Sequence, residues 1–212
     1  MATTSKGLLS LAFVLLALPA PLAVVAGDPD ILADFIPPLG LGGAPNITGE
    51  YFTFKGFRTV LTAPAPQNLT VTKATMEEFP VLKGQGVSYA LISYPPGSVN
   101  PPHTHPRASR LLLVIEGVLS VGFIDTANKL YAQDLVAGDM FIIPKGMVQW
   151  QYNAGTALAK TLSAFGSAAP GMVSMPVTLF GTGIDDAVLA KSFKTDVPTV
   201  QKLKAALTPP NK

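Results

Sequence analysis

The stretch Gly97-Ser-Val-Asn-Pro-Pro-His-Thr-His-Pro-Arg-Ala-Ser-Arg-Leu-Leu-Leu-Val-Ile-Glu-Gly117 decides the fold of this chain. It contains both histidines of the sequence, His103 and His105, which are two positions apart. On a β-strand this spacing places both side chains on one face, because strand side chains alternate with period two. Two imidazoles on one face could bind one metal ion.

A second stretch, Gly138-Asp-Met-Phe-Ile-Ile-Pro-Lys-Gly-Met-Val-Gln-Trp-Gln-Tyr-Asn153, follows about twenty residues later. Together the two stretches resemble the two sequence boxes of the cupin superfamily, and most closely those of the germins and germin-like proteins of plants. The resemblance extends, more loosely, from about residue 28 to residue 207. The matching residues are Gly97, His103, His105 and Gly117 in the first box and Gly138, Pro144, Gly146 and Asn153 in the second.

The resemblance implies a site for manganese or another divalent ion made of three histidines and one glutamate, and two of these four positions differ here. Arg110 stands at the glutamate position and Gln149 at the third histidine position. A permanently protonated guanidinium thus replaces a carboxylate, and an amide replaces an imidazole. No further histidine and no cysteine exists to complete the site. Glu116 is six residues from Arg110, so on a strand both side chains lie on the same face. Six residues along a strand span about 20 Å, however, so Glu116 is too far away to bind a metal ion at the histidines.

Three interpretations of His103 and His105 remain open. They are packed polar residues in a protein that no longer binds metal tightly, or they form a weak or altered manganese site with water or Gln149. In the third interpretation, Arg110 and the two histidines form a metal-free site for a small carboxylate, since a planar guanidinium matches a carboxylate with two parallel hydrogen bonds.

The remaining pattern predicts an all-β fold, because short apolar runs alternate with turns rich in glycine and proline. We expect a single cupin jelly-roll barrel over residues 51–180, an extended N-terminal arm over 27–50 and a C-terminal helical extension over 181–212. The run from Leu111 to Ile115 is continuously apolar, which predicts a strand buried on both faces. The predicted strands are 51–54, 69–73, 87–94, 111–115, 118–124, 129–133, 141–143, 148–152 and 158–165.

The C-terminal segment predicts two short helices, over 185–193 and 195–207. In the second, Val200, Leu203 and Leu207 form an apolar stripe that needs a partner. The resemblance implies that such helices join neighbouring subunits into dimers or hexamers. We therefore expect a homo-oligomer that is lost when the residues after Asp196 are deleted.

Residues 1–26 predict a cleaved secretory signal peptide, with Lys6 before the apolar run from Leu8 to Leu18. The alternative is a membrane anchor, but the run is short for a bilayer core of about 30 Å. Secretion favours glycosylation of the sequons at Asn46 and Asn68. The resemblance implies an extracellular, apoplastic location, and no membrane association is expected after cleavage.

The segment from Asp28 to Phe35 resembles the start of a mature germin. In that family the next position is commonly a cysteine that closes a disulfide within the arm, whereas this chain has Ile36 and contains no cysteine. Such a disulfide typically stabilises a small domain by about 2–4 kcal/mol. Either other contacts hold the arm or it is loose.

Charge and composition narrow the function further. The net charge is only +2 and charged residues make up 13% of the chain, which argues against a nucleic-acid partner. The altered ligand set favours a secreted binding or structural protein of the plant extracellular matrix, with cell-wall components or a small carboxylate as partners and manganese weakly bound or absent. It argues against an enzyme. The alternative is a manganese-dependent oxidoreductase of the oxalate oxidase or superoxide dismutase type.

Overall fold

The computed structural model describes residues 28–37 and 47–207. Within these ranges the strands form two five-stranded antiparallel sheets, with the orders β1-β2-β9-β4-β7 and β10-β3-β8-β5-β6. This arrangement is a double-sheet jelly roll, which confirms the predicted all-β fold.

The element bounds show where sequence and structure agree. The strands are β1 (Thr70–Ala74), β2 (Ser88–Tyr94), β3 (Val99–Thr104), β4 (Arg110–Glu116), β5 (Val118–Ile124), β6 (Leu130–Val136), β7 (Met140–Ile143), β8 (Val148–Tyr152), β9 (Ala159–Phe165) and β10 (Val173–Ser174). The helices are α1 (Phe57–Thr62), α2 (Met175–Phe180), α3 (Asp186–Ser192) and α4 (Val197–Leu207).

The core lies between the inner faces of the two sheets. Leu112 and Val114 alternate with outward residues along β4 and are fully buried, as are Leu119 and Val121 on β5. Tyr94 at the end of β2 belongs to the same apolar cluster. Since period-two alternation also points Arg110 inward, the polar position 110 continues the row of core residues Leu112 and Val114.

Two local predictions are wrong. Leu111 and Ile115 are 42% and 37% exposed, so β4 is buried on one face and not on both. The reason is that an antiparallel sheet can leave one face open. Tyr51 to Phe54 is not a strand: backbone hydrogen bonds from Tyr51 to Thr48 (3.0 Å) and from Thr53 to Glu50 (3.1 Å) close turns before α1.

The described part of the arm, residues 28–37, is held by hydrogen bonds and ring contacts. The Asp28 carboxylate accepts from the Ser167 hydroxyl and from the Ala168 N–H, the latter at 2.7 Å. The Tyr51 hydroxyl donates to the carbonyl oxygen of Ile36 at 2.9 Å. The ring of Phe35 packs edge-on against Phe52 at 5.1 Å between centroids. These contacts take the place of a disulfide clip.

Both predicted C-terminal helices form. The Asp185 side chain caps α3 by accepting from the N–H groups of Ala187 (2.9 Å) and Val188 (3.2 Å). Val200 of α4 is fully buried in a small cluster with Leu189 and Ala190 of α3. The expectation that Val200 needs a partner outside the chain is therefore wrong, because α3 already covers it. Within the described residues no helix is long and apolar enough to cross a membrane.

Candidate ligand site in the barrel

The two histidine rings lie side by side at the end of β3. Their centroids are 5.2 Å apart and the rings meet edge to face. His103 Nδ1 lies 2.7 Å from the carbonyl oxygen of Pro101, and His105 Nδ1 lies 2.5 Å from that of Gly171. Because a carbonyl oxygen can only accept, Nδ1 is the protonated nitrogen in both neutral rings. Nε2 of each ring is then a free lone-pair donor.

Arg110, at the start of β4, places its guanidinium inside the barrel and is 1% exposed. Its Nε donates to Ser163 Oγ at 3.0 Å, and its Nη1 donates to Gln149 Oε1 at 3.1 Å and to Gln151 Oε1 at 2.9 Å. The guanidinium carbon lies 5.8 Å from the ring centre of Phe165. Within the described residues Arg110 forms no ion pair with a carboxylate.

The sequence analysis missed part of this polar network. Gln151 accepts from Asn100 Nδ2 at 2.8 Å, and its own Nε2 donates to Gln149 Oε1 at 3.3 Å. A usable signal was present, since Gln149 and Gln151 alternate with Trp150 along β8 and must share a face. Ser163 gave no such signal, because serine on a strand is common and its partner is distant in sequence.

A cavity of about 470 Å³ opens beside these groups. Its lining is mainly apolar and includes a few polar and charged side chains. Two buried atoms in lining residues, His103 Nε2 and Arg110 Nη2, have no hydrogen-bond partner. Unsatisfied buried polar atoms are rare in proteins and each calls for an explanation. The lining includes His103, His105, Arg110, Asn100, Ile92 and Phe165.

Burial lowers the pKa of His103 and of His105 to about 4. The hydrogen bonds to Pro101 and Gly171 act in the opposite direction and offset only part of this effect, while the positive charge of Arg110 lowers both values further. Both imidazoles are therefore neutral at neutral pH. The guanidinium carries the positive charge of the site.

The donor set does not fit manganese. The two histidines supply two suitable nitrogen atoms, but Gln149 Oε1 is engaged by Arg110, and the guanidinium would face the dication with a like charge. Within the described part of the chain no group of three or more histidine, cysteine, aspartate or glutamate side chains could hold a metal ion. Glu116, the one carboxylate considered from sequence, pairs with Lys160 at 2.9 Å.

Comparison with known proteins identifies the family. A model of the Cupin family matches residues 62–201. Germin-like protein 9-3 from Oryza sativa subsp. japonica is 65% identical over 205 residues, which cover 94% of this chain and 95% of that protein. The chain belongs to the germin-like proteins of the cupin family. The family resemblance inferred from the two boxes is thus confirmed.

Solved structures place this germin-like protein beside oxalate-converting cupins. A recombinant oxalate oxidase in complex with glycolate superposes with a TM-score of 0.76 at 30% identity, covering 85% of this chain and 98% of that one. A structure concerned with the Mn(II) centres of Bacillus subtilis oxalate decarboxylase has a TM-score of 0.60 at 19% identity, covering 69% of this chain and 38% of that one. At that identity the second likeness shows the fold alone.

The buried histidines predict acid sensitivity of this germin-like protein. In the unfolded chain their pKa returns to about 6.5, so the unfolded state binds more protons between pH 6.5 and 4. The stability that the neutral rings contribute is present above pH 6.5 and is lost as the pH falls towards 4. We expect the thermal midpoint to drop by several degrees across this window, measured by circular dichroism.

The control is the double variant His103→Gln and His105→Gln, which removes both titrating groups. Carboxylates with a lowered pKa, such as Glu78, Asp125 and Asp196, begin to lose their contribution at about pH 5. The control should therefore be flat between pH 6.5 and about 5. An equal slope in both proteins would show that the histidines are not buried in their neutral form.

Proposed function

We propose that this germin-like protein acts in the plant extracellular matrix as a binding or structural protein, without a tightly bound metal. The observation that carries the proposal is the buried guanidinium of Arg110, hydrogen-bonded to Gln149, Gln151 and Ser163 beside the two histidines. A dication at the histidines would meet an uncompensated positive charge there. To avoid this repulsion, the Arg110 side chain would have to move away and break its three hydrogen bonds inside the barrel.

A manganese-dependent oxidoreductase is the second candidate. It is favoured by the orientation of the two histidines, whose Nε2 lone pairs are free, and by the superposition on oxalate oxidase. Hydrogen bonds from Nδ1 to a backbone carbonyl are the usual way in which metal-binding histidines are oriented. The histidine half of a metal site is thus in place, and Arg110 and Gln149 are what separate the two candidates.

Activity assays separate them. Protein secreted by a eukaryotic host is supplied with excess Mn²⁺ and tested for oxalate-dependent hydrogen peroxide formation and for removal of superoxide. We expect rates equal to those of heat-denatured protein in the same manganese buffer. A saturable rate that disappears in the His103→Gln and His105→Gln variant would overturn the proposal in favour of the oxidoreductase.

Secretion is supported by the family and by the position of one sequon. Asn68 lies in an exposed bend just before β1, whereas Asn46 and the proposed signal peptide lie outside the described residues. We expect the secreted protein to begin near Gly27, by N-terminal sequencing, and to lose mass on endoglycosidase treatment. Asn68→Gln should remove one glycan, and Asn128→Gln, which lies outside any sequon, should remove none. A secreted wild-type protein without a mass shift would contradict glycosylation.

A homo-oligomer, dimer or hexamer, is supported by an apolar patch on the outer face of the first sheet. Leu111, Met140 and Ile142 are 42%, 64% and 56% exposed, and Leu111 lies directly opposite Ile142 across β4 and β7. Exposed apolar patches often mark interfaces. Cell-wall components are the other partners that such a surface could bind.

We expect Ile142→Lys to reduce the mass measured by light scattering to that of a smaller assembly. Leu130→Lys is the matched control, because Leu130 is 55% exposed on the other sheet and outside the patch. Deletion after Asp196 is a weaker test than the sequence suggested, since it also removes buried Val200. A wild-type monomer, or equal masses for wild type and Ile142→Lys, would exclude this interface.

A further inference from the structure

We propose that the barrel cavity binds an apolar hydroxycarboxylate directly, with the ligand carboxylate on Arg110 and the ligand hydroxyl on a histidine. This rests on the proposed function, because the cavity must be free of a tightly bound metal. It extends that function by naming a ligand class for the same site and a way of binding it that uses no metal.

The buried charge of Arg110 is the reason to expect a carboxylate on the ligand. A charge buried without a counterion is costly, and within the described residues the guanidinium has only neutral partners. Those partners engage Nε and Nη1, while Nη2 has none. A carboxylate would supply both the missing acceptor for Nη2 and the missing negative charge, in a charge-assisted hydrogen bond.

The acceptor nitrogens of the histidines are the reason to expect a hydroxyl group on the ligand. His103 donates through Nδ1 to Pro101, so its buried Nε2 is an acceptor, and Nε2 has no partner. His105 has the same tautomer. A bare carboxylate cannot donate to these lone pairs and would be repelled by them. A hydroxyl next to the carboxylate can donate, so one ligand satisfies a donor and an acceptor together.

The apolar lining of the cavity is the reason to expect an apolar group on the ligand. The apolar side chains that line the cavity include Leu69, Val71, Ile92, Phe165 and Met172. A volume of about 470 Å³ is within the usual range of small-molecule sites, roughly 300–1,000 Å³, and leaves room for a phenyl group. The charged side chains in the lining, Lys73, Glu77 and Arg107, are exposed and lie outside this apolar set.

Calorimetry on the full secreted chain, freed of metal by a chelator and checked by elemental analysis, tests the proposal. The probe is mandelate, compared with phenylacetate, which lacks the hydroxyl, and with mandelamide, which lacks the charge. We expect mandelate to bind once per chain and each comparison ligand to bind about tenfold more weakly, the effect of one lost buried hydrogen bond or charge contact.

Arg110→Met should remove the preference for mandelate over mandelamide. Arg107→Met is the matched control, because Arg107 lines the same cavity but is exposed, and it should keep that preference. His103→Leu should remove the preference for mandelate over phenylacetate. Equal discrimination in wild type and in folded Arg110→Met protein would overturn the proposal.

Nitrogen NMR of the wild-type protein keeps the proposal testable if Arg110→Met fails to fold. An untagged chain has only two histidines, both in the cavity, so its imidazole signals report on the site alone. Mandelate should shift an Nε2 resonance and phenylacetate should not. If metal-free protein binds no mandelate at about 10 mM, this inference fails while the proposed function stands. Manganese that resists the chelator would instead defeat the proposed function.

Discussion

Replacing Arg110 by glutamate and Gln149 by histidine in one chain should raise its manganese content from well under one ion to nearly one ion per chain. The double variant supplies a carboxylate and a third imidazole at the positions where the family resemblance implies metal ligands. It also removes the guanidinium, which the wild-type structure holds beside both histidines. The measurement is elemental analysis after identical preparation in manganese and dialysis against a weak chelator.

The two single variants show whether Arg110 or Gln149 contributes more to the weak binding of manganese. Arg110→Glu should recover more manganese than Gln149→His, because it removes a repulsive charge and adds a ligand, whereas the second change only adds a ligand. Gln149→His leaves Arg110 with its bonds to Gln151 and Ser163. A folded double variant that stays empty would show that the cavity geometry, and not the two side chains, prevents metal binding.

Replacing Asn153 by alanine should produce the largest loss of stability among single changes to the polar framework. The buried side chain donates to the carbonyl oxygens of Tyr94 at 2.7 Å and Ala157 at 2.8 Å, and accepts from the N–H of Gly155 at 2.9 Å. Alanine leaves these groups unpaired, at a cost of about 2–4 kcal/mol in the free energy of unfolding. We expect the thermal midpoint to fall by roughly 5–15 °C.

Two controls accompany this variant. Asn153→Asp keeps the acceptor for Gly155 but presents a carboxylate to two carbonyl oxygens, so it should destabilise at least as much as alanine. Thr156→Ala changes an exposed residue of the same turn and should alter the stability by less than about 0.5 kcal/mol. If Asn153→Ala unfolds like Thr156→Ala, the turn does not depend on the asparagine.

Much of the fold could be predicted because period-two patterns and turn residues recur along the chain. Val118–Ile124 and Val148–Tyr152 have the predicted bounds, and the two boxes indicated the cupin barrel. The error at Tyr51 to Phe54 arose because an alternating aromatic run also suits a series of turns whose rings pack on the arm. The error at Leu111 and Ile115 arose because continuous hydrophobicity does not distinguish a core from an exposed, apolar outer face.

The site was predictable in its members but not in its connections. The family resemblance implied that His103, His105, Arg110 and Gln149 share one site. In the structure the first three line one cavity, and Gln149 accepts a hydrogen bond from Arg110. The bond of Arg110 to Ser163 depends on the register between β4 and β9, and the bond to Gln151 crosses from one sheet to the other; a local pattern encodes neither. The metal role of the two histidines stays a prediction.

The manganese content of the wild-type protein tests the central claim most directly. The protein should be secreted by a eukaryotic host grown with added manganese, purified without a tag, dialysed against a weak chelator and measured by elemental analysis. The buried charge of Arg110 predicts well under one manganese ion per chain. One manganese ion per chain, retained after dialysis and lost in the His103→Gln and His105→Gln variant, would contradict a metal-free binding protein.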